Sequence, residues 1–253
     1  MHLVRYEYHG KTHHGVLEGD HVAEIAGDFF GSYQRTGVMV PVGLVTLKAP
    51  VMPSKIINLA GNYLSHMGAT PPFKIPQPFL ATPSSVNDPG GAVVIPQGST
   101  DVHYEGEMAV VIARRCRKVS KADAPGYVLG VCAANDVSER DWQNGADKDV
   151  QWWRAKSADT FSPFGPWITT GLDYGNLRLV TRVNGKVVQD TNTKELIFDV
   201  PTLVSFISQN MTLEAGDVIF TGTSGDTSAV KAGDVMEVEL EGCGVLRNPV
   251  VNA

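Results

Sequence analysis

A predominantly β, α+β fold with few short helices follows from three features of this 253-residue chain. Apolar and polar residues alternate in runs such as "HLVRYEYHG", "LRLVTRVNGKVV" and "DVMEVELEGCGVLRNPVV", the period of half-buried strands. Turn formers are dense, with 26 Gly and 15 Pro, and they punctuate these runs. Convincing helical stripes are few, the best being "DVPTLVSFISQNMTLEAGD".

In chain order, the first 48 or so residues read as short strands joined by Gly/Asp turns. A small N-terminal β subdomain is therefore expected over residues 1–50, including "LKAPVMPSK" as a proline-restricted linker. Residues 51–253 are expected to form one larger β-rich domain. "GAVVIP", "GEMAVVIA" and "GDVIFTGT" supply its apolar strands, and "NGK" at 184–186 is a hairpin signal. In the helical stretch, Asp199 is placed to cap, Pro201 fits the first turn, and Leu203, Val204, Phe206 and Ile207 form the stripe.

Composition restricts the partners. A formal net charge of −6 argues against nucleic acid or an anionic membrane surface. The basic cluster Arg114, Arg115, Arg117 and Lys118 reads as a solvated strand end. Three cysteines, Cys116, Cys132 and Cys243, make no CxxC pair, which fits a reducing compartment. "MHLVRYEYHGKTHHG" lacks a signal-peptide core, and no run approaches about 18 apolar residues. A soluble, cytoplasmic protein is expected.

The chemistry is expected around "DVHYEGEMAVVIA". In one extended strand His103, Glu105 and Glu107 would share a face, with alternate Cα atoms about 6–7 Å apart. Two carboxylates held together repel unless one is protonated, water reaches both, or a cation lies between them. A hard divalent ion satisfies the last condition, whereas a solvated edge strand satisfies the second.

Asp136, at the end of the apolar run "YVLGVCAAN", either caps a helix starting at Ser138 or completes a three-carboxylate set. Lys156 lies in the aromatic-rich "RAKSADTFSPFGPW", where it either snorkels to solvent or pairs with an anion. His66 in "LAGNYLSHMGATPP" is a surface residue or a general base on a loop. The Thr221 and Thr223 hydroxyls and the turn of "FTGTSGD" either hold an anion or simply close a hairpin.

These strings, together with "NDVSERDWQ", "VNGKVVQDTNT" and "IFDVPTLVSFISQNMTLEAGDVIFTGT", resemble the fumarylacetoacetate hydrolase superfamily from about Ile56 to the C-terminus. The resemblance implies a mixed β-sandwich or roll, usually dimeric. It implies Glu105, Glu107 and Asp136 as ligands for Mg2+ or Mn2+, and Lys156 as the active-site lysine. It also implies Arg140, Gln143 and Thr160 as lining residues, Thr223 as a substrate contact and His66 as the residue that activates water.

The implied substrate is a small keto or diketo acid. The first expected activity is hydrolysis of a C–C bond in an acylpyruvate-like β-diketo acid through a metal-stabilised enolate. The alternative is isomerisation or decarboxylation of a 2-hydroxydienoate or an oxaloacetate-like 2-keto acid, with a ureidoglycolate-type lyase as a variant. A non-catalytic binding protein is the competing class. The chain departs from the family pattern in three places. Ala69 stands where a glutamate often partners the histidine. Ala81 and Thr82 stand where a lysine is common, with Lys74 as a substitute cation. "SGDTSAV" follows "TGT" in place of the usual proline and glycines.

Overall fold

The computed structural model describes residues 1–253. Its N-terminal part consists of β1 (His2–Tyr8), β2 (Lys11–Glu18), β3 (His21–Ala26), β4 (Gln34–Pro41) and β5 (Thr46–Lys48). β1 pairs antiparallel with β2 and β5, while β3 pairs with β2 and β4. The "LKAPVMPSK" segment is fixed in place: Ala49 is fully buried and its N–H donates to Asp88 Oδ1 at 2.8 Å. Lys55 then pairs with the buried Asp217.

The middle of the chain supplies β6 (Ile56–Ala60), the short helix α1 (Leu64–Met67), β7 (Gln77–Ala81), β8 (Val86–Asn87), β9 (Val93–Ile95), β10 (Val102–His103) and β11 (Gly106–Ile112). β12 (Val128–Asn135), β13 (Ser138–Glu139), α2 (Arg140–Asn144), α3 (Trp153–Lys156) and β14 (Ser162–Thr169) follow. The last third holds β15 (Arg178–Val183), β16 (Lys186–Asn192), α4 (Val200–Asn210), β17 (Val218–Phe220), β18 (Val235–Leu240) and β19 (Gly244–Asn252).

A 12-stranded sheet runs β4-β3-β2-β1-β14-β12-β11-β17-β6-β7 along its main path, so the N-terminal strands extend the large sheet through the β1–β14 pairing. A second sheet, β16-β15-β18-β19-β9, packs beside it. β11 is buried on both faces, which explains its uninterrupted apolar sequence. Met108, Val110 and Ile112 join Leu203, Val204 and Ile207 of α4 in one core, and Ala109 and Val111 join Phe164, Ile168 and Phe220 in another.

The local expectations are met in most places and corrected in three. Asn184 and Gly185 both take positive φ, 52° and 77°, as a two-residue turn between β15 and β16 requires. Asp199 caps α4, its Oδ1 accepting from the Thr202 N–H at 2.9 Å. That helix stops at Asn210, because Met211 turns to extended backbone, so "TLEAGD" lies outside it. The cap of α2 is Glu139, which accepts from the Trp142 N–H at 2.6 Å; Asp136 is left free of that role. His103 and the two glutamates do not share one continuous strand. β10 pairs with β13 and ends at His103, whose ring meets Asp101 and Thr227. The cysteines are free and buried. No helix is long and apolar enough to cross a membrane.

Candidate active site

Four strand ends meet at one end of the large sheet. β11 begins there antiparallel to the end of β12, with Gly106 opposite Asn135, and this register brings Asp136 beside Glu105. The Asp136 N–H donates to the Glu105 carbonyl at 3.0 Å. β17 flanks β11 and runs parallel to β6, so the segment 221–227 and the segment leading into α1, which carries His66, leave the sheet on the same side. A side chain at Gly106 is obstructed at this crossing: a Cβ there would lie 1.8 Å from Thr181 Oγ1.

Glu105, Glu107 and Asp136 are buried, at 5%, 1% and 1% exposure. The solvated-edge reading of the glutamates is thereby excluded. One carboxylate oxygen from each lies within 4.8 Å of the others. Lys156 is also buried, at 2% exposure, and does not snorkel. Its Nζ donates to Glu105 Oε2 at 2.7 Å and to Asp136 Oδ2 at 2.8 Å. Arg140 Nη2 donates to Glu105 Oε1 at 2.5 Å and to Thr227 Oγ1 at 2.9 Å, while Nη1 donates to Gln143 Oε1 at 2.6 Å.

The partners differ sharply among the three acids. Glu107 Oε2 accepts from the Gly222 N–H at 2.6 Å, but its Oε1 is buried without any partner. Burial raises the Glu107 pKa well above the carboxylate range, and the charges of Asp136 and Glu105 add to the rise. Burial also pushes Asp136 up, to about 7, against the pull of Lys156. For Glu105 burial acts in the same direction, yet Lys156 and Arg140 outweigh it and hold the group at about 2. Burial works against the Lys156 charge, but Asp136 and Glu105 keep its pKa above the ordinary lysine value.

An orphaned buried carboxylate oxygen is costly in a native structure. An oxygen-only set with one unsatisfied member and convergent carboxylates suits a hard divalent cation such as Mg2+ or Mn2+. The donor set present therefore fits such an ion.

A cavity of about 670 Å3 opens over these groups, lined by Glu105, Asp136, Arg140, Gln143 and Lys156 at one end. His66 and Thr223 also line it. His66 Nδ1 lies 2.6 Å from the Gly225 carbonyl, so that nitrogen is the N–H and Nε2 remains the acceptor. Thr223 is tied to the base of the site: its Oγ1 donates to the Gly106 carbonyl at 3.0 Å and accepts from Gln189 Nε2 at 2.9 Å. Thr160 is not brought to the cavity. Its hydroxyl accepts from the Val94 N–H at 2.9 Å, fixing β9 instead.

Several residues at the site carried no expectation. Asn58 Nδ2 donates to Asp136 Oδ1 at 2.8 Å; an asparagine inside the apolar strand "KIINLA" was the available signal. Gln189 holds the Gly106 N–H as well as Thr223. Asn62 clamps the loop before α1, donating to the Phe198 and Thr221 carbonyls and accepting from the Phe198 N–H. Phe73, Phe79 and Trp152 form an aromatic wall from segments far apart in the chain, and no local pattern links them.

Three buried carboxylates held against a buried lysine beside a cavity, on a β-rich frame, are the features by which this chain is to be placed among known folds. The chain is a member of the fumarylacetoacetate hydrolase family: the domain described as fumarylacetoacetate (FAA) hydrolase C-terminal matches residues 55–251, and an Rv2993c-like N-terminal domain matches residues 1–50. An uncharacterized protein of Archaeoglobus fulgidus is 45% identical over 98% of this chain and 96% of its own. The mitochondrial oxaloacetate tautomerase of Bos taurus is 37% identical over 84% of this chain and 72% of its own.

Among solved structures, the 5-carboxymethyl-2-hydroxymuconate delta-isomerase of Mycobacterium smegmatis superposes with a TM-score of 0.93 at 39% identity, covering both chains fully. The maleylpyruvate hydrolase of Sphingobium sp. SYK-6, in complex with manganese(II) and pyruvate, does so with a TM-score of 0.83 at 28% identity, also over both full chains.

Proposed function

We propose that this chain is a divalent-metal-dependent enzyme that relocates a proton on a small 2-oxo acid, or on its 2-hydroxydiene form, through an enolate. The observation that carries this reading is the buried Glu105–Glu107–Asp136 set with Glu107 Oε1 unpartnered beside Lys156. These three residues would hold Mg2+ or Mn2+. When bound, the ion supplies Lewis-acid stabilisation of the negative charge that develops on the substrate oxygens.

The protein's own groups supply the rest. Lys156 keeps two of the acids in place and presents a fixed cation where enolate charge develops. Arg140 is pre-oriented by Gln143 and Thr227 and adds a second cation. His66, with Nδ1–H on the Gly225 carbonyl, offers Nε2 as the base. It takes the proton from the carbon next to the carbonyl, the C–H electron pair forms the C=C bond, and the carbonyl pair moves to oxygen. Returning that proton to another carbon gives isomerisation; returning it to the enolate oxygen gives the enol.

Proton relocation is favoured over hydrolysis because Ala69 provides no carboxylate to raise the basicity of His66, and generating hydroxide from water demands more of a base than removing an activated carbon-bound proton. The isomerase and tautomerase likenesses are also closer in identity than the hydrolase one. Hydrolysis of an acylpyruvate-like substrate stays as the second reading, supported by the full-length likeness to the maleylpyruvate hydrolase.

The test is proton NMR in D2O of a 2-oxo acid and an acylpyruvate with the Mn2+- or Mg2+-loaded enzyme, with products identified by mass. Enzyme-dependent exchange of the C3 protons without new fragments is expected, and His66→Ala should slow it. Stoichiometric acid fragments would establish hydrolysis instead. No exchange and no fragments would end the enzyme reading.

A further inference from the structure

An oxo acid handled in this way has its reacting end beside Glu105, Asp136, Arg140 and Lys156. The remaining cavity wall has a different character. Lys156 Nζ lies over the Phe79 ring, 5.7 Å from its centroid, and Trp152 meets Phe79 edge-on at 5.2 Å and 82°. Met67 and Phe73 complete this wall. Both approach so close to Gly61 that a Cβ there would lie 2.5 Å from Met67 Sδ and 2.7 Å from Phe73 Cε2. Phe73 remains 39% exposed, an apolar ring facing open space at the wall of a ligand-sized cavity.

The charges point the same way. Only three basic side chains line the cavity, His66, Arg140 and Lys156. Both Lys156 and Arg140 are already committed to the buried acids. Three carboxylates against these two permanent cations leave one negative charge. A divalent ion turns this into one positive charge, and a single substrate carboxylate neutralises it. Asp226 then adds an exposed carboxylate to the wall, and Lys156 and Arg140 pair with other acids. Lys74, next to Phe73 in sequence, does not line the cavity. A second substrate carboxylate would meet Asp226 and a row of aromatic rings, with no free cation to receive it.

We infer that the substrate carries one carboxylate only, and that the part beyond the oxo-acid group is an uncharged alkyl or aryl chain seated on Phe73, Phe79, Trp152 and Met67, with Asp226 rejecting an anionic tail. This inference rests on the oxo-acid reading of the site and narrows it to a class of substrate. Phe73 and Asp226 are its specificity-determining residues.

N-Benzyloxamate and N-(2-carboxyethyl)oxamate test it by binding alone, since both mimic a 2-oxo acid but have no enolisable carbon. Each is titrated calorimetrically into the Mn2+-loaded protein. The benzyl compound is expected to bind about 10-fold tighter or more, as burial of an aromatic ring against an unpaired charge predicts. Phe73→Ala should weaken the benzyl compound while leaving the carboxyethyl compound unchanged. Asp226→Lys should tighten the carboxyethyl compound by about 10-fold, the effect of replacing a repulsive charge by an attractive one. Equal or tighter binding of the carboxyethyl compound to the unmutated chain would overturn the inference and leave the oxo-acid reading standing. The inference also falls if the ratio of affinities is unmoved by Asp226→Lys. If Mn2+ binds but neither oxamate does, both readings fall together.

Discussion

Lys156 and Asp136 make the most deeply buried ion pair in the site: Nζ stands 2.8 Å from Oδ2 with both side chains at 2% exposure or less. Neither charge has water to fall back on. Lys156→Met should therefore leave Asp136 without its cation and Glu105 with Arg140 alone, at a cost of about 3–5 kcal/mol in the metal-free protein. Part of that loss should return on adding Mn2+, because a cation again sits among the acids. Thermal melts of both proteins, with chelator and with Mn2+, check this; an equal drop in both conditions would deny that the lysine and the ion share a task.

Glu107 behaves oppositely to Glu105, having one backbone donor and an unpartnered oxygen where Glu105 has two cations. Burial and the neighbouring acids favour its neutral, protonated form in the metal-free chain, and glutamine imitates that form. Metal-free Glu107→Gln should be as stable as the unmutated chain or more so, yet its Mn2+ affinity should fall by roughly 100-fold or more, beyond the 10–100-fold seen for partners that only orient a ligand. Calorimetric titration with Mn2+ reads the affinity and a chemical denaturation curve reads the stability.

The same acids set a pH dependence for the metal-free chain. Asp136, raised to about 7, and Glu107, raised well above the ordinary carboxylate range by burial, hold protons in the folded state over a range in which the unfolded chain has released them. Folding then binds protons, so stability falls as pH rises from the unfolded carboxylate range, near 4, toward neutrality. Glu105, held at about 2, acts with the opposite sign, but only below that range. Melting temperature in chelator should thus decline between about pH 5 and 7. Saturating Mn2+ should flatten the decline, because the bound ion keeps the acids ionised.

Much of this site could be read from the sequence because each acid sits where an apolar strand begins or ends. Glu105 and Glu107 precede "MAVVIA" and Asp136 follows "VCAAN", and an acid next to a doubly buried strand needs a partner. The hairpin at Asn184–Gly185 and the capped helix at Asp199 were legible for a related reason: both are local, and the deciding residues are neighbours. What escaped is non-local. His103 leaves the acid face because β10 pairs with β13, a contact between distant parts of the chain, and nothing in "DVHYEGE" marks the break. Thr160 carries φ +74° and spends its hydroxyl on β9, a backbone requirement that a threonine does not announce. Asn58, Phe73 and Trp152 meet the site only through sheet topology.

Gly106 links the fold to the chemistry, and its substitution gives the most discriminating prediction. It lies between the two glutamates, its N–H donates to Gln189 Oε1 at 3.1 Å, and its carbonyl accepts from Thr223. A Cβ at this position would lie 1.8 Å from Thr181 Oγ1 and 3.1 Å from Thr181 Cβ. That hydroxyl is buried and has no hydrogen-bond partner, so it contributes little and obstructs the added methyl. Gly106→Ala should cost about 1–3 kcal/mol as an overpacking change. It should also weaken Mn2+ binding, since the strand segment must shift where it carries both acids. Thr181→Ala alone should be nearly neutral, and combined with Gly106→Ala it should restore much of both losses, because the clash is chiefly with Oγ1. A double-mutant cycle on denaturation midpoint and Mn2+ affinity measures the coupling. Additive effects would mean that contacts other than Thr181 Oγ1, such as Gln189 Oε1 at 3.2 Å from the added Cβ, exclude the side chain. Strong coupling would mean that close approach of β15 to the acid-bearing strand is what requires a residue without a side chain.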